Sequence, residues 1–143
     1  MLQLQDGDLL YDLGCGDGRF LTEAARLHAV RGIGIEYDLA FVDKAKNRVE
    51  KDNLCDLVTI RHSNVLDEDF SQATALFIYL VPEGMRALKD KLIAMLQNGT
   101  RIVTYVFTIP DLEPMKVVEF KSTRIMYYTQ QSLQEHHHQQ QRK

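Results

Sequence analysis

Three glycines in five residues, Gly14, Gly16 and Gly18, follow a short apolar run in the stretch YDLGCGDGRF, Tyr11–Phe20. Glycine loses more conformational freedom on folding than any other residue, so such a cluster marks backbone that must turn tightly or approach something closely. Its setting narrows what the chain can become. The segments DLLYDLG (8–14), GIGIEYD (32–38), LVTIRHS (57–63), ATALFIYLV (73–81) and TRIVTYVF (100–107) are largely unbroken apolar runs rich in β-branched and aromatic residues. Runs of that kind suit strands covered on both faces. Between them, Phe20, Ala24 and Leu27, then Val42, Ala45 and Val49, then Met85, Leu88, Leu92 and Met95 recur at helical spacing. Asn98-Gly99 ends the last of these helices. Strand and helix alternating with short connections predict an α/β fold, an open and mostly parallel sheet with helices on both faces.

Beyond Phe107 the pattern changes. TIPDLEPMK carries two prolines and reads as a loop, and KVVEFKSTRIMYYT (116–129) reads as two strands joined by a turn at Lys121-Ser122. That predicts an antiparallel hairpin at one sheet edge, bringing the sheet to seven strands. Residues 1–130 form one domain in this reading, and 131–143 form a polar, disordered tail. His136, His137 and His138 in that tail are read as solvated, and no metal site is expected.

The bulk numbers exclude more than they specify. A chain of 143 residues suits one domain with a real core. A net charge of -3 gives no global attraction to nucleic acid or anionic membranes. No apolar run reaches the ~18 residues of a membrane span. Cys15 and Cys55 make no disulfide framework and fit a reducing compartment, so the expected location is cytoplasmic.

In an open parallel sheet, ligands sit beyond the carboxyl ends of the strands, beside the first strand. The loop GCGDG opens a helix there, with its N–H groups turned to the crevice and Gly18 permitting close packing of helix on strand. Glu36 ends the second strand 18 positions after Gly18, where a carboxylate can take the two hydroxyls of a ribose. Tyr37 offers a ring face for an adenine. The spacing is G-x-G-x-G rather than the G-x-G-x-x-G of dinucleotide sites, and Asp12 lies within the strand. A carboxylate is a poor neighbour for a pyrophosphate and a good one for an ammonium group. A ligand with adenosine at one end and an amino acid at the other satisfies both, as S-adenosylmethionine does. A dinucleotide oxidoreductase is the weaker alternative.

Over residues 8–129 these motifs resemble the class I S-adenosylmethionine-dependent methyltransferases. YDLGCGDGRF resembles the first motif of that superfamily, and GIGIEYD its ribose-binding second strand. The resemblance implies a Rossmann-like fold, with Asp12 holding the methionine amino group and Gly14, Cys15 and Gly16 along the methionine part. It implies Glu36 on the ribose, Tyr37 on the adenine ring, and Asn64 and Val65, in SNVLD (63–67), on the adenine edge. FIYLVPEGMRALKDKLIAMLQNGTRIVTYVF (77–107) is similar to a smaller group. That group includes uncharacterised bacterial members and the mitochondrial lysine methyltransferases of the ATP synthase c-subunit and the adenine nucleotide carrier.

Methyl transfer is an in-line displacement, and an amine acceptor must first lose its proton. Tyr79, which also borders the cofactor, and Glu83 stand at the end of the fourth strand as the catalytic candidates. Tyr105, Phe107 and Asp111 are acceptor-side candidates. The (Asn/Asp)-Pro-Pro-Tyr motif of adenine and glutamine methyltransferases is absent, and Tyr79-Leu80-Val81-Pro82 stands in its place. No cysteine lies near that strand end. These absences disfavour nucleic acid, and the resemblance to the smaller group implies a protein lysine as acceptor. A small-molecule acceptor and a non-catalytic cofactor-binding partner subunit are the alternatives.

The superfamily carries helices ahead of its first strand, and this sequence has almost nothing there. The expectation is a truncated or alternatively spliced form, or a cover supplied by a partner or second copy. A missing native N-terminus would make the location mitochondrial.

Overall fold

The computed structural model describes residues 2–133. The strands are β1 (Leu9–Leu13), β2 (Arg31–Glu36), β3 (Val58–His62), β4 (Ala75–Ile78), β5 (Arg101–Tyr105), β6 (Lys116–Phe120) and β7 (Thr123–Tyr128). The helices are α1 (Arg19–His28), α2 (Leu39–Lys51) and α3 (Pro82–Gln97), with one 3-10 turn at Val65–Asp67. The strands form one seven-stranded sheet in the order β3-β2-β1-β4-β5-β7-β6. The first five run parallel, while β7 is antiparallel to both β5 and β6. The chain leaves β1 toward β2 and β3 on one side and returns through β4 on the other, so the switch point lies between β1 and β4.

Alternation along each strand divides the core into two layers. Leu13, Ile35, Leu76, Ile78, Ile102 and Met126 face α3, meeting Met85, Leu88, Leu92 and Met95. Leu10, Val58, Ile60, Ala75 and Val103 face α1 and α2, meeting Leu21, Ala24, Val42, Ala45 and Val49. α3 starts cleanly because Pro82 stands in its first turn, where a missing N–H costs nothing, and Glu83 there complements the helix dipole. α2 is capped by Asp38, whose side chain accepts from the Ala40 N–H at 2.9 Å. The hairpin turns at Lys121 and Ser122, both left-handed at φ 50° and 64°, the geometry that matches strand twist.

Two sequence expectations fail in detail. Leu27 is 61% exposed, because the buried face of α1 runs through Leu21, Ala24 and Ala25 and leaves Leu27 on the far side. Gly18 packs against α2 rather than a strand, since a Cβ there would meet Ala45 Cβ at 3.1 Å. The expected tail, with His136, His137 and His138, lies outside the described residues from 134 on. Within 131–133, Ser132 is buried and its Oγ accepts from the Thr129 N–H. Among the described residues no helix is long and apolar enough to cross a membrane, and no group of acidic, histidine or cysteine side chains is arranged to hold a metal.

Candidate functional site

The carboxyl ends of β1, β2 and β4 bring together Asp12, the glycine loop, Glu36 and Tyr79. The loop is held from beneath. Gly14 N–H and Cys15 N–H both donate to the Ile35 carbonyl, at 2.9 and 3.1 Å. Gly14 has φ +81°, and a Cβ there would drive into the Tyr79 carbonyl oxygen. Its need for glycine therefore comes from the approach of β4 as well as from the turn. Gly16 differs: its φ is +57° and a Cβ would meet nothing within 4 Å. It faces open space and is the loop glycine suited to a ligand.

Glu36 is the centre of the hydrogen bonding. One carboxylate oxygen accepts from the Gly16 N–H at 2.8 Å and the other from the Asp38 N–H at 2.9 Å. A carboxylate at this strand end thus fixes the loop of the first strand to the start of α2. The sequence pointed to Glu36 for a ribose, but the link to Gly16 carries no sequence signal beyond the two positions themselves.

Asp12 sits deeper. It is 1% exposed, and its Oδ1 is buried with no hydrogen-bond partner among the described residues. Burial, and after it the charge of Glu36, push its carboxyl up to about 8. Cys15 is also buried, and burial first, then the negative charges of Asp12 and Glu36, push its thiol far above the ordinary range. A thiol held protonated is no nucleophile.

On the outer side of the loop, Asp17 takes Arg19 in a salt bridge of 2.9 Å, while Arg48 of α2 donates to the Asp17 carbonyl at 3.2 Å. These contacts tie the loop to both helices. A separate recess of about 340 Å³, lined by Asp17, Lys44, Asn47, Arg48, Lys51 and Asp52, opens beside them on α2. It lies apart from Asp12, Glu36 and Tyr79, so the chemistry-bearing groups are not in it.

The remaining candidates lie around the rim. Tyr37 is 73% exposed beyond β2, and its carbonyl pairs with His62 Nε2 at 3.0 Å. The Asn64 side-chain oxygen accepts from the Leu66 N–H at 2.9 Å, capping the 3-10 turn. An amide oxygen has two lone pairs, so this bond leaves one for a ligand. Val65 is buried in the α3 layer. Leu39, Phe41 and Leu66, which the sequence reading did not single out, are further exposed apolar side chains.

At the β4 end, Tyr79 is 48% exposed and meets the ring of Tyr105 edge-on, centroids 5.0 Å apart. Tyr105 leads on to Phe77, which stacks on Phe20 of α1 at 3.9 Å. Glu83 is exposed in the first turn of α3. Phe107 packs against the core. Asp111 forms a 2.6 Å salt bridge with Lys89 of α3, an arrangement that fastens the loop after β5.

The model of the ANTKMT methyltransferase domain matches residues 12–116. The chain is 31% identical over 118 residues to a protein-lysine N-methyltransferase of Saccharolobus islandicus, covering 82% of this chain and 73% of that one. It is 26% identical over 119 residues to the adenine nucleotide translocase lysine N-methyltransferase of Mus musculus, covering 83% of this chain and 52% of that protein. The chain thus spans about half the length of the mouse relative. Among solved structures, an RNA methyltransferase from Salinibacter ruber in complex with S-adenosyl-L-homocysteine superposes with a TM-score of 0.83 at 34% identity. That match covers 90% of this chain and 84% of the other.

The residues present fit such a ligand. A buried carboxyl oxygen at Asp12, without a partner among the described residues, suits an ammonium group, and the open side of Gly16 leaves room for a ligand against the backbone. The chain belongs to the ANTKMT methyltransferase domain family and is an S-adenosylmethionine-dependent methyltransferase.

Proposed function

We propose that this chain methylates the side-chain amine of a lysine in a protein. The observation that carries the reading is the match to the Saccharolobus protein-lysine methyltransferase over most of both chains. The open β4–β5 end supports it, because half-exposed Tyr79 stands on the surface, where a lysine carried by a folded or extended protein can reach. In this reading Asp12 takes the ammonium group of the cofactor. Gly14, Cys15 and Gly16 border its methionine part, Glu36 takes the ribose, and Tyr37, Asn64 and Val65 take the adenine. Residues 1–130 are the catalytic domain, and the cytoplasm, where Cys15 and Cys55 stay reduced, is its compartment.

When bound, the cofactor supplies an electrophilic methyl group on a sulfonium. The chain's own residues then have two tasks. The acceptor amine must be neutral, which an environment poor in water favours, and its lone pair must be aimed. The Tyr79 ring and hydroxyl do the aiming, with Tyr105 fixing the ring by its edge-on contact. Glu83, exposed on the first turn of α3, receives or steers the departing proton.

RNA is the second reading, favoured by the Salinibacter structure at a TM-score of 0.83 and opposed by the net charge of -3. The test is incubation with isotopically labelled S-adenosylmethionine and, separately, a protein extract and an RNA extract. Methyl-lysine found by mass spectrometry of the protein supports the proposal. Label confined to RNA sinks it.

A further inference from the structure

We infer that Asp12 and Glu36 form a proton-holding pair, in which Asp12 keeps a proton that an incoming ammonium-bearing ligand displaces to solvent. The inference rests on the reading of this site as one for an adenosyl ligand with an amino-acid end. Its ground is an inequality between two neighbouring carboxyls. Glu36 has two backbone N–H donors, from Gly16 and Asp38, at 2.8 and 2.9 Å. Asp12 Oδ1 is buried with no partner among the described residues. Of the two carboxyls, Asp12 is the one buried without a donor, and it is the one that holds the proton.

Among the described residues, the surroundings of Asp12 supply no compensating cation. Its register partners are Gly34 on β2 and Phe77 on β4, neither of which titrates. A Cβ at Gly34 would meet Cys15 Sγ, Ile60 and Leu21, so the loop contributes a thiol, and β3 and α1 contribute alkyl groups. β2 contributes Glu36, a further negative charge. Arg19 and Arg48, which flank the loop, are engaged by Asp17. The elevated carboxyl at about 8, caused by burial and then by Glu36, agrees with this.

The exchange balances simply. A protonated Asp12 and a free ammonium-bearing ligand become an ionised Asp12 paired with the ammonium, plus one proton in solution. No covalent bond other than the acid O–H is broken. Binding is therefore favoured by rising pH for as long as Asp12 holds a proton in the unbound protein.

The experiment is calorimetry of S-adenosylhomocysteine binding at pH 7 in phosphate and in Tris, whose ionisation enthalpies differ widely. The comparison ligand is 5′-methylthioadenosine, which has the nucleoside but no amino-acid end. The expected result is close to one proton released per S-adenosylhomocysteine and none for methylthioadenosine. The S-adenosylhomocysteine affinity should also rise by about tenfold per pH unit from pH 6 to 7.5. Asp12→Asn should bind more weakly and release no proton. If that variant does not fold, the buffer pair and the two ligands still decide the matter with the native chain. Equal heats in both buffers for S-adenosylhomocysteine, or release that persists in Asp12→Asn, would overturn the inference while leaving the cofactor site intact. Failure of both ligands to bind would overturn the site reading, and the inference with it.

Discussion

The two halves of the site are built differently. Around β1 and β2 the polar groups are already joined to one another: Glu36 holds the loop through Gly16, Ile35 holds Gly14 and Cys15, and Asp17 gathers Arg19 and Arg48. Around β4 and β5 the candidates are a half-exposed tyrosine pair and an exposed Glu83, and neither the Tyr79 side chain nor the Glu83 side chain makes a hydrogen bond or ion pair among the described residues. One half is organised before anything binds, while the other presents surface that a partner molecule completes. Preorganised dipoles need no rearrangement when charge arrives. An open aromatic surface gives less precise aim but admits a macromolecular acceptor.

If the contrast is real, the largest effect falls on the organised half. Glu36→Ala removes the acceptor of two backbone N–H groups together with the proposed ribose anchor. It should weaken S-adenosylhomocysteine binding by about 1,000-fold, roughly 4 kcal/mol. Calorimetry that finds unchanged affinity would erase the distinction between the halves.

Next comes the cost of the buried acid. The Asp12 carboxyl lies near 8 in the folded chain, against ~3.9 for an unfolded aspartate. Below about pH 4 both states hold the proton and there is no penalty. As pH rises toward 8 the unfolded state ionises while the folded state does not, so stability falls until the folded carboxyl also titrates. Asp12→Asn should therefore gain on the native chain by on the order of 3 kcal/mol between pH 5.5 and 8. Urea denaturation across that range checks the sign, and parallel curves for the two proteins would refute it. Asp8 and Asp17, both held below the usual carboxylate range, lose their contributions only in more acidic solution and leave this window clear.

A paired substitution sharpens the comparison within the loop itself. Gly14→Ala meets both a left-handed backbone and the Tyr79 carbonyl, and should destabilise by about 3 kcal/mol. Gly16→Ala meets only the left-handed backbone, at about 1 kcal/mol. Equal denaturation midpoints for the two would mean that the β4 contact is unimportant.

The smallest effect belongs to the open half. Tyr79→Ala should lower turnover about tenfold, roughly 1.4 kcal/mol, with the dissociation constant of S-adenosylhomocysteine within about twofold of the native value. Tyr79→Phe separates the hydroxyl from the ring. A large loss of cofactor affinity in Tyr79→Ala would move the residue into the organised half.

The sequence was most informative where one residue type answers one demand. Continuous apolar runs gave the strands, and the turn at Lys121-Ser122 and the α3 stripe fell where the spacing put them. Glu36 and Asp12 were legible because carboxylates are unusual at the end of one buried strand and inside another. Other features depend on three-dimensional meeting points and left no local trace. Leu27 has the right spacing for a buried stripe, yet the face that packs is decided by where the sheet lies, and Leu27 misses it. Asn64 looked free for a ligand, but its oxygen also caps the turn that follows. Asp111, read as an acceptor-side residue, also pairs with Lys89, 22 positions earlier in the chain, a contact with no local trace in the sequence. Gly14 answers to a strand that lies more than sixty positions away in sequence.

That last contact joins the two halves mechanically. The Leu13 carbonyl accepts the Tyr79 N–H at 3.0 Å, and one residue further on Gly14 lies against the Tyr79 carbonyl. There is no side chain between them to flex and absorb a displacement. Any displacement of the β4 end would therefore be passed directly to the backbone of the glycine loop, within the span of a single peptide unit. The grip on one ligand and the posture of the strand that meets the other would then share one piece of backbone.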